Sequence, residues 1–178
     1  MVNIINHKEW KYFKIKDVFK VEKSKNIVNE IALENIGGKV PYITRTEYNN
    51  GIMFFVNNLN FKLENGNCIT IGGEGANCFY QPNDFISGNN ITKIYNSKLN
   101  EENGIFIVTL LNLEKYRYSY NRAFNKNNVE NTMIKLPIDD NCNPDWKFME
   151  NYIKSLKERE REYWICWNKW TEILSIRY

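Results

Sequence analysis

Histidine is almost absent from this 178-residue sequence, which has His7 and no other. The four cysteines lie far apart and form no CxxC pair: Cys68, Cys78, Cys142 and Cys166. With one histidine and no CxxC pair, a zinc site is not expected. Ser-His-Asp or Cys-His catalysis would have to use His7, which lies near the N-terminus, and we do not favour it. The cysteines are therefore expected to be free thiols in a reducing compartment.

Long apolar runs are also missing. No stretch of eighteen apolar residues occurs, so we expect no membrane-spanning helix. Residues 1–19 interrupt their apolar residues with Lys and Glu and have no small-residue cleavage site, which argues against a signal peptide. We therefore predict a cytoplasmic protein that does not contact a membrane.

Catalytic motifs are scarce. There is no Walker A loop and no [DN]PP[YFW] tetrapeptide, and "IGGEGANC" lacks the third glycine and the following helix of a dinucleotide site. Asp145 and Lys147 match the D-x-K half of a metal-dependent nuclease, but that triplet is common by chance. We predict no catalytic residues, no metal and no directly bound cofactor, with the nuclease as a less favoured alternative.

Net charge is modest, at +3 with a pI of about 8.5, and does not by itself indicate nucleic-acid binding. The charge is uneven, because residues 1–25 hold seven lysines against three acids. Asparagine is abundant, with 29 residues, which an AT-rich genome would explain. In a groove-facing loop, however, asparagine is also a good reader of base edges.

Short apolar segments separated by turn residues cover most of the chain. Strands are expected at "KVPYITRT", at "GIMFFV" as a buried strand, and at "NCITIG", "CFYQ", "FISGNNITKIYN" and "TMIKLPI". "WKYFKIKDVF" predicts a strand followed by a short helix, and "NGIFIVTLLNL" has helical spacing. Asn49-Asn50-Gly51 and Asn65-Gly66 are turn signals. We predict an α+β fold, with a curved, mainly β domain over residues 1–138 that carries a few helices.

A long C-terminal helix is predicted over residues 144–178, after a polar turn at 139–143. Asn143 suits the N-cap, Pro144 the first helical position and Asp145 the positive end of the helix dipole. Apolar residues then follow a heptad that only Glu160 interrupts: Trp146, Met149, Ile153, Leu156, Tyr163, Trp167, Trp170 and Leu174. Such a face packs either against another long helix or back on its own domain, and spacing alone does not separate the two. We predict the first, with a partner surface formed by Trp146, Met149, Ile153, Leu156, Tyr163, Trp167 and Trp170.

Three loops carry residues suited to DNA contact. The first holds Thr44, Arg45, Thr46 and Asn49; arginine can bridge guanine O6 and N7. The second is glycine-rich and holds Gly73, Glu74, Gly75, Asn77, Tyr80 and Gln81. The third interleaves basic and aromatic residues, with Arg117, Arg122, Lys126 and Asn127 as the candidate contacts. Each loop taken alone also fits an ordinary solvated loop.

Five segments in a fixed order resemble one family. "WKYFKIKDVF", "VPYITRTEYNNGI", "NCITIGGEGANCFYQPNDFISGNNI", "YSYNRAFNKNNVENTMIKLPI" and "NPDWKFMENYIKSL" together resemble DNA specificity (S) subunits of type I restriction-modification systems. The variant of type IIG-like systems is the most similar. The resemblance covers about residues 10 to 157, and the last segment is the most telling.

The resemblance implies a target recognition domain at 1–138 that reads half of a bipartite duplex site, followed by a spacer helix. It implies a methyltransferase subunit as partner, which holds the S-adenosylmethionine, and a restriction subunit as a further partner. Since a single recognition domain is present, the chain is a single-domain member, a fragment or a half-subunit. A half-subunit could pair its helix with a second copy by two-fold symmetry.

Two residues depart from the family pattern. Asn121 and Cys142 stand where relatives usually have glycine, and cysteine tolerates positive φ poorly. We therefore expect a different turn before the helix. A decoy half-subunit that binds the methyltransferase without reading DNA is the main alternative function.

Overall fold

The computed structural model describes residues 7–29, 36–57, 61–118 and 123–175, without the side chains of residues 36 and 166–175. Its strands are β1 (Trp10–Lys14), β2 (Lys20–Lys23), β3 (Ile36–Ile43), β4 (Ile52–Val56), β5 (Cys68–Gly72), β6 (Cys78–Gln81), β7 (Ile86–Ser87), β8 (Ile91–Tyr95) and β9 (Met133–Pro137). Its α-helices are α1 (Ile15–Val18), α2 (Glu101–Leu113), α3 (Lys126–Asn131) and α4 (Trp146–Ser175). This α+β order with a long final helix confirms the predicted fold class.

The strands form three sheets. The largest has the order β2-β8-β5-β6 and is antiparallel throughout. In the second, of order β4-β3-β7, β3 pairs antiparallel with β4 and parallel with β7. The third is the ribbon β1-β9, in which Trp10 lies opposite Pro137. The pairing of β1 with β9 places the first strand of the domain beside the strand that leads to α4.

The main core lies between the four-stranded sheet, α2, α3, the ribbon and the start of α4. Ile69, Ile94, Ile107 and Phe124 are fully buried there. A smaller cluster around Tyr42, Val56 and Ile86 fills the space beside the three-stranded sheet. A third cluster of Ile43, Cys68 and Phe85 packs residues of the two larger sheets together at their junction.

Most predicted elements are present, but "GIMFFV" is not a buried strand. Met53 and Phe55 of β4 are exposed, whereas Val56 is buried. The strand has one covered face only, since alternate side chains point to opposite sides of a sheet. The short helix α3 was not predicted; Asn125 caps it by accepting from the backbone N–H of Asn128 at 3.0 Å.

Helix α4 begins two residues later than predicted, at Trp146. Asp145 is the N-cap: its carboxylate accepts from the N–H of Phe148 at 2.9 Å, and its carbonyl accepts from the N–H of Met149 at 3.2 Å. Pro144 instead forms an antiparallel bridge with Ile138. Cys142 has φ 60°, so the turn keeps the left-handed conformation that glycine favours. The expected change of turn is therefore not seen.

The first half of α4 packs on its own domain. Met149 and Ile153 are buried in the main core, and Tyr152 meets Phe106 of α2 edge to face at 5.7 Å. The prediction that Met149 and Ile153 serve another chain is therefore corrected, because both already fill this core. Burial of each such side chain contributes about 1.5–3 kcal/mol to stability.

Residues 158–165 of α4 are exposed. Just before them, Lys157 forms an ion pair of 2.9 Å with Glu101 of α2. Beyond it, Tyr163, Trp164 and Ile165 are 77%, 60% and 55% exposed. The side chains of Trp167 and Trp170 lie outside the described residues. Across the described parts of the chain, no helix is both long and apolar enough to cross a membrane.

A buried ion pair joins the two larger sheets. Lys93 of β8 and Glu64 are 2% and 5% exposed, and the ammonium contacts the carboxylate directly. Glu64 also accepts from the N–H groups of Lys25 and Asn26 at 2.7 and 2.9 Å. Its backbone bonds in both directions with Phe85, which immediately precedes β7. Glu64 thus connects β8 and the segment after β2 through its carboxylate, and the residue before β7 through its backbone.

These contacts lower the pKa of Glu64. Burial alone would raise it, but hydrogen bonds from the Asn26 N–H, Lys93 and the Lys25 N–H outweigh burial. The pKa of Glu64 is lower in the folded state than in the unfolded state. The charged pair therefore stabilises the fold at pH values above the unfolded-state pKa. The contribution is lost as pH falls through the lowered pKa.

We predict that Glu64→Gln lowers the free energy of unfolding by about 3–5 kcal/mol, because Lys93 is left charged and buried without a counter-ion. Urea unfolding followed by circular dichroism measures this change. The double variant Glu64→Gln/Lys93→Met is the matched control and should recover much of the loss, since no charge remains buried. Equal stability of the single and double variants would contradict the role given to the pair.

Candidate nucleic-acid interface

Arg45 and Glu74 bring two of the predicted loops together. Arg45 follows β3 and Glu74 follows β5, and Arg45 Nη1 lies 2.5 Å from Glu74 Oε1. The side chains are 37% and 41% exposed. The pair therefore lies at the surface, at the junction of the two larger sheets.

The loop of Arg45 is held by its own backbone and hydroxyl groups. The N–H of Thr44 donates to the carbonyl of Gly51 at 2.9 Å, which closes the loop. Thr44 and Thr46 accept, through their hydroxyl oxygens, from the N–H groups two residues further on. Asn49 and Asn50 have φ 49° and 57°, so the predicted turn forms.

The glycine-rich loop is closed by the N–H of Gly72, which donates to the carbonyl of Asn77 at 3.0 Å. Gly73 donates to the carbonyl of Asn90 and accepts from the N–H of Phe124, both at 2.9 Å. A Cβ atom on Gly73 would lie 3.1 Å from the Asn90 oxygen, so glycine permits this close approach. The third segment thereby meets the second at Gly73.

Two open depressions flank the ion pair. One, of about 340 Å³, is lined by Arg45 and by Asn29, Thr44, Thr46 and Asn89, among others. The other, of about 230 Å³, is lined by Glu74 and by Lys23, Asn90 and Asn125, among others. We call the surface formed by Lys23, Asn29, Arg45, Glu74, Asn89, Asn90 and Asn125 the loop face.

The loop face has the side chains of a base-reading surface. It presents two cations, one carboxylate and four amides, all of which can hydrogen-bond to base edges or phosphates. Asn89 donates to Asn29 at 3.1 Å, so part of this amide set is already ordered. Lys23 and the four asparagines were not predicted as contacts, although "SGNN" between two strands was a signal for Asn89 and Asn90.

Several predicted contacts from the second loop lie elsewhere. Gln81 is buried and donates to the carbonyl of Asn50 and the hydroxyl of Thr70, so its prediction as a base reader is corrected. Tyr80 donates to Asn67 at 2.9 Å, and its ring packs against Gly104 of α2. Both residues are at the far end of β6 from Glu74. Gly75 is exposed with φ 79°, and Asn77 is half-buried.

In the described part of the third loop, residues of the predicted basic stripe already have partners within the fold. Phe124 is fully buried and stacks on Tyr118 with ring centroids 4.0 Å apart, so these aromatic rings serve the core. Arg117 is exposed and pairs with Glu114 at 2.8 Å, and the Tyr116 hydroxyl is the main cause of its raised pKa. Lys126 pairs with Glu130 within α3, where Asn127 is exposed. Arg122 and Asn121 lie outside the described residues.

The D-x-K residues have structural roles. Besides capping α4, Asp145 pairs with Lys8 at 2.6 Å. Burial would raise the pKa of Asp145, but the bonds from Lys8 and the Phe148 N–H bring it below the usual value. Lys147 extends toward Glu150 at 3.4 Å. Among the described residues, no three His, Cys, Asp or Glu side chains are grouped to hold a metal ion.

The buried thiols are poorly suited to chemistry. Burial raises the pKa of Cys68 to about 12 and that of Cys78 further still, so neither is a thiolate at neutral pH. Cys142 is a free thiol at the surface of the turn before α4.

The sequence of this chain matches a known family of proteins. A family model described as "Type I restriction modification DNA specificity domain" matches residues 7–163. The chain belongs to this family, which confirms the resemblance in its sequence.

Among curated relatives, the chain is similar to the "Type II restriction enzyme BgcI specificity subunit S.BcgI" of Heyndrickxia coagulans. The two are 25% identical over 154 residues, which cover 84% of this chain and 44% of that subunit. This chain thus spans less than half the length of the relative.

Two solved structures have the same fold. The type I restriction-modification S subunit from M. genitalium matches with a TM-score of 0.58 and 13% identity, covering 96% of this chain and 45% of that one. The HsdS subunit from Thermoanaerobacter tengcongensis matches with a TM-score of 0.55 and 12% identity, covering 84% and 37%. At these identities the matches support the fold alone.

We predict that Asp145→Ala lowers the free energy of unfolding by about 0.5–2 kcal/mol, because α4 loses its N-cap. Denaturant unfolding measures the loss. Asp145→Asn is the matched control: it keeps the capping oxygen and loses only the charge that faces Lys8. The nuclease alternative instead requires Mg²⁺-dependent DNA cleavage by the unaltered chain that disappears in both variants.

Proposed function

We propose that the chain recognises a specific sequence in double-stranded DNA and directs a partner methyltransferase to it, in the cytoplasm. Family membership supports this role, and the observation that carries it is the loop face, where three separate segments meet around Arg45 and Glu74. The partner would supply S-adenosylmethionine and the methyl transfer. A restriction subunit is a further partner in this proposal, and the described residues of this chain serve binding alone.

The arrangement of the body suits recognition of one part of a split site. Residues 7–163 match the family, yet the chain covers only 44% of the relative's length. We take residues 1–138 as the target recognition domain and α4 as the spacer. With 30 residues, α4 is about 45 Å long at 1.5 Å per residue. The helix would then hold the loop face at a fixed distance from a partner bound to its C-terminal part.

The C-terminal part of α4, which begins with the exposed residues 158–165, is the proposed partner surface. An open, mainly apolar depression on this helix is lined by Leu156, Arg159, Glu160, Tyr163 and Trp164. Trp167 and Trp170 continue the same heptad in sequence. A second copy of the chain is the partner we favour, since a heptad face on two identical helices can pair by two-fold symmetry.

DNA binding is expected to depend on salt. The chain should bind duplex DNA with an affinity that falls as salt rises, because Lys23 and neighbouring cations neutralise phosphates. Lys23→Ala should weaken binding to all sequences equally and reduce the log–log salt slope by about 0.9. Fluorescence anisotropy over 50–200 mM salt measures both quantities.

Lys98→Ala is the matched control, since Lys98 is exposed but lies in the turn before α2 and does not line the loop face. Absence of duplex binding at low salt, with the methyltransferase present, would contradict DNA recognition. That outcome favours the decoy, for which the helix matters and the loop face does not.

Pairing of two copies is expected to need the C-terminal part of α4. Tyr163→Glu should convert a dimer into a monomer, because a charge would replace an apolar side chain at the centre of the heptad face. Light scattering after size exclusion measures the mass. Glu158→Ala, on the opposite side of the helix, should leave the mass unchanged. A monomeric unaltered chain would instead assign this surface to the methyltransferase.

A further inference from the structure

We infer that Arg45 and Glu74 act as one unit that reads a single G·C base pair from the major groove. Arg45 contacts the guanine and Glu74 accepts from the amino group of the paired cytosine. This inference rests on the proposed function and assigns it a specificity-determining pair of residues.

The ion pair is open to an incoming ligand. Its charged groups meet at 2.5 Å, and each side chain remains more than one third exposed. The contact uses Nη1 of Arg45, whereas a guanidinium has five N–H donors. The edge formed by Nε and Nη2 therefore remains available for a second acceptor while Glu74 stays in place.

The two loops hold the pair in position. Ile43, at the end of β3, is fully buried and its carbonyl accepts from the N–H of Gly88 at 2.8 Å. A Cβ atom on Gly72 would lie 3.6 Å from the Cα of Arg45, so the two backbones run side by side. Ala76, at the base of the second loop, is also fully buried. Both charged residues thus project from anchored backbone.

The chemistry of the pair matches one base-pair edge. In the major groove a G·C pair presents the acceptors N7 and O6 of guanine and, next to them, the N4 amino donor of cytosine. Two donors from Arg45 meet the two acceptors, and Glu74, directly beside the guanidinium, meets the donor. An A·T pair places an amino donor where Arg45 needs an acceptor, so it is rejected.

A phosphate contact explains the pair less well. Glu74 lies against Arg45 and would be brought close to the same phosphate, which the carboxylate repels. A stabilising role alone also explains little, because exposed ion pairs contribute only about 0–1 kcal/mol. A carboxylate held next to an arginine on a surface rich in amides is better suited to base discrimination.

Modified duplexes test the inference on the unaltered chain. The preferred site is first selected from a randomised duplex library. In separate duplexes, each G·C pair of that site is then changed to A·T, its guanine is replaced by 7-deazaguanine, or its cytosine is replaced by 2-pyrimidinone. At one pair we expect A·T to weaken binding about 5- to 150-fold. Loss of guanine N7 or of the cytosine amino group should each weaken binding at that same pair.

Three variants assign the two contacts. Arg45→Ala should remove the sensitivity to 7-deazaguanine, and Glu74→Ala the sensitivity to 2-pyrimidinone, at that pair only. The exchanged variant Arg45→Glu/Glu74→Arg can re-form the ion pair but should not restore selection of the original pair. Lys20→Ala, which breaks a surface ion pair with Glu22, is the control and should leave selection unchanged.

The outcomes separate two failures. If Arg45→Ala and Glu74→Ala weaken binding to every duplex by the same factor, or if the exchanged variant restores selection, the base-pair reading is wrong and DNA recognition stands. If the unaltered chain binds duplex DNA but selects no sequence, or does not bind at all, the proposed function fails as well.

Discussion

The buried pair between Lys93 and Glu64 is the interaction on which the arrangement of the body depends. Each of the two larger sheets has its own apolar cluster, and a third cluster of Ile43, Cys68 and Phe85 packs residues of both sheets together. Apolar contact is non-directional, so these clusters alone do not determine how one sheet lies against the other. Glu64 joins them through a charge, two backbone N–H groups and the backbone of Phe85. A buried carboxylate is tolerated only where all these partners are present at once, so the pair favours one arrangement over its alternatives.

The position of the loop face follows from that arrangement. Arg45 extends from the three-stranded sheet and Glu74 from the four-stranded sheet, so their contact reports how the sheets are placed. A small rotation between the sheets would separate the two charges and leave the loops intact. The geometry of the loop face and the stability of the fold are therefore linked, although different residues are responsible for each.

Much of the fold was predictable from local pattern. Strand alternation, the spacing of "NGIFIVTLLNL" and the Asn-Gly turn signals gave most elements and the α+β class, because these signals depend on neighbours in sequence. The pairing of Lys93 with Glu64 was not predictable, since the residues are 29 positions apart and each resembles an ordinary surface charge. For the same reason Gln81 looked available: its partners, Asn50 and Thr70, come from other segments.

The candidate site and α4 show the same limit. Arg45 and Glu74 were both predicted, but their contact depends on how the two sheets meet. The heptad in α4 was correct as a spacing, yet Met149 and Ile153 face the body while Tyr163 faces solvent. A sequence repeat predicts which residues share one side of a helix. It does not predict how far along the helix the rest of the domain covers that side. Asp145, and not Asn143, is the N-cap, because the bridge between Ile138 and Pro144 delays the start of the helix.

Because α4 is one uninterrupted helix, its length also determines the direction in which its C-terminal end faces. Its first turns are fixed in the core, so every residue added between Lys157 and Tyr163 would turn the far half by about 100° and advance it by about 1.5 Å relative to the loop face. Seven added residues return the face nearly to its starting direction and move it about 10 Å further out. In the proposed function, changes of length in this helix would therefore alter in steps the separation between the loop face and a partner's DNA-reading surface, and only certain lengths would keep both on the same side of the DNA.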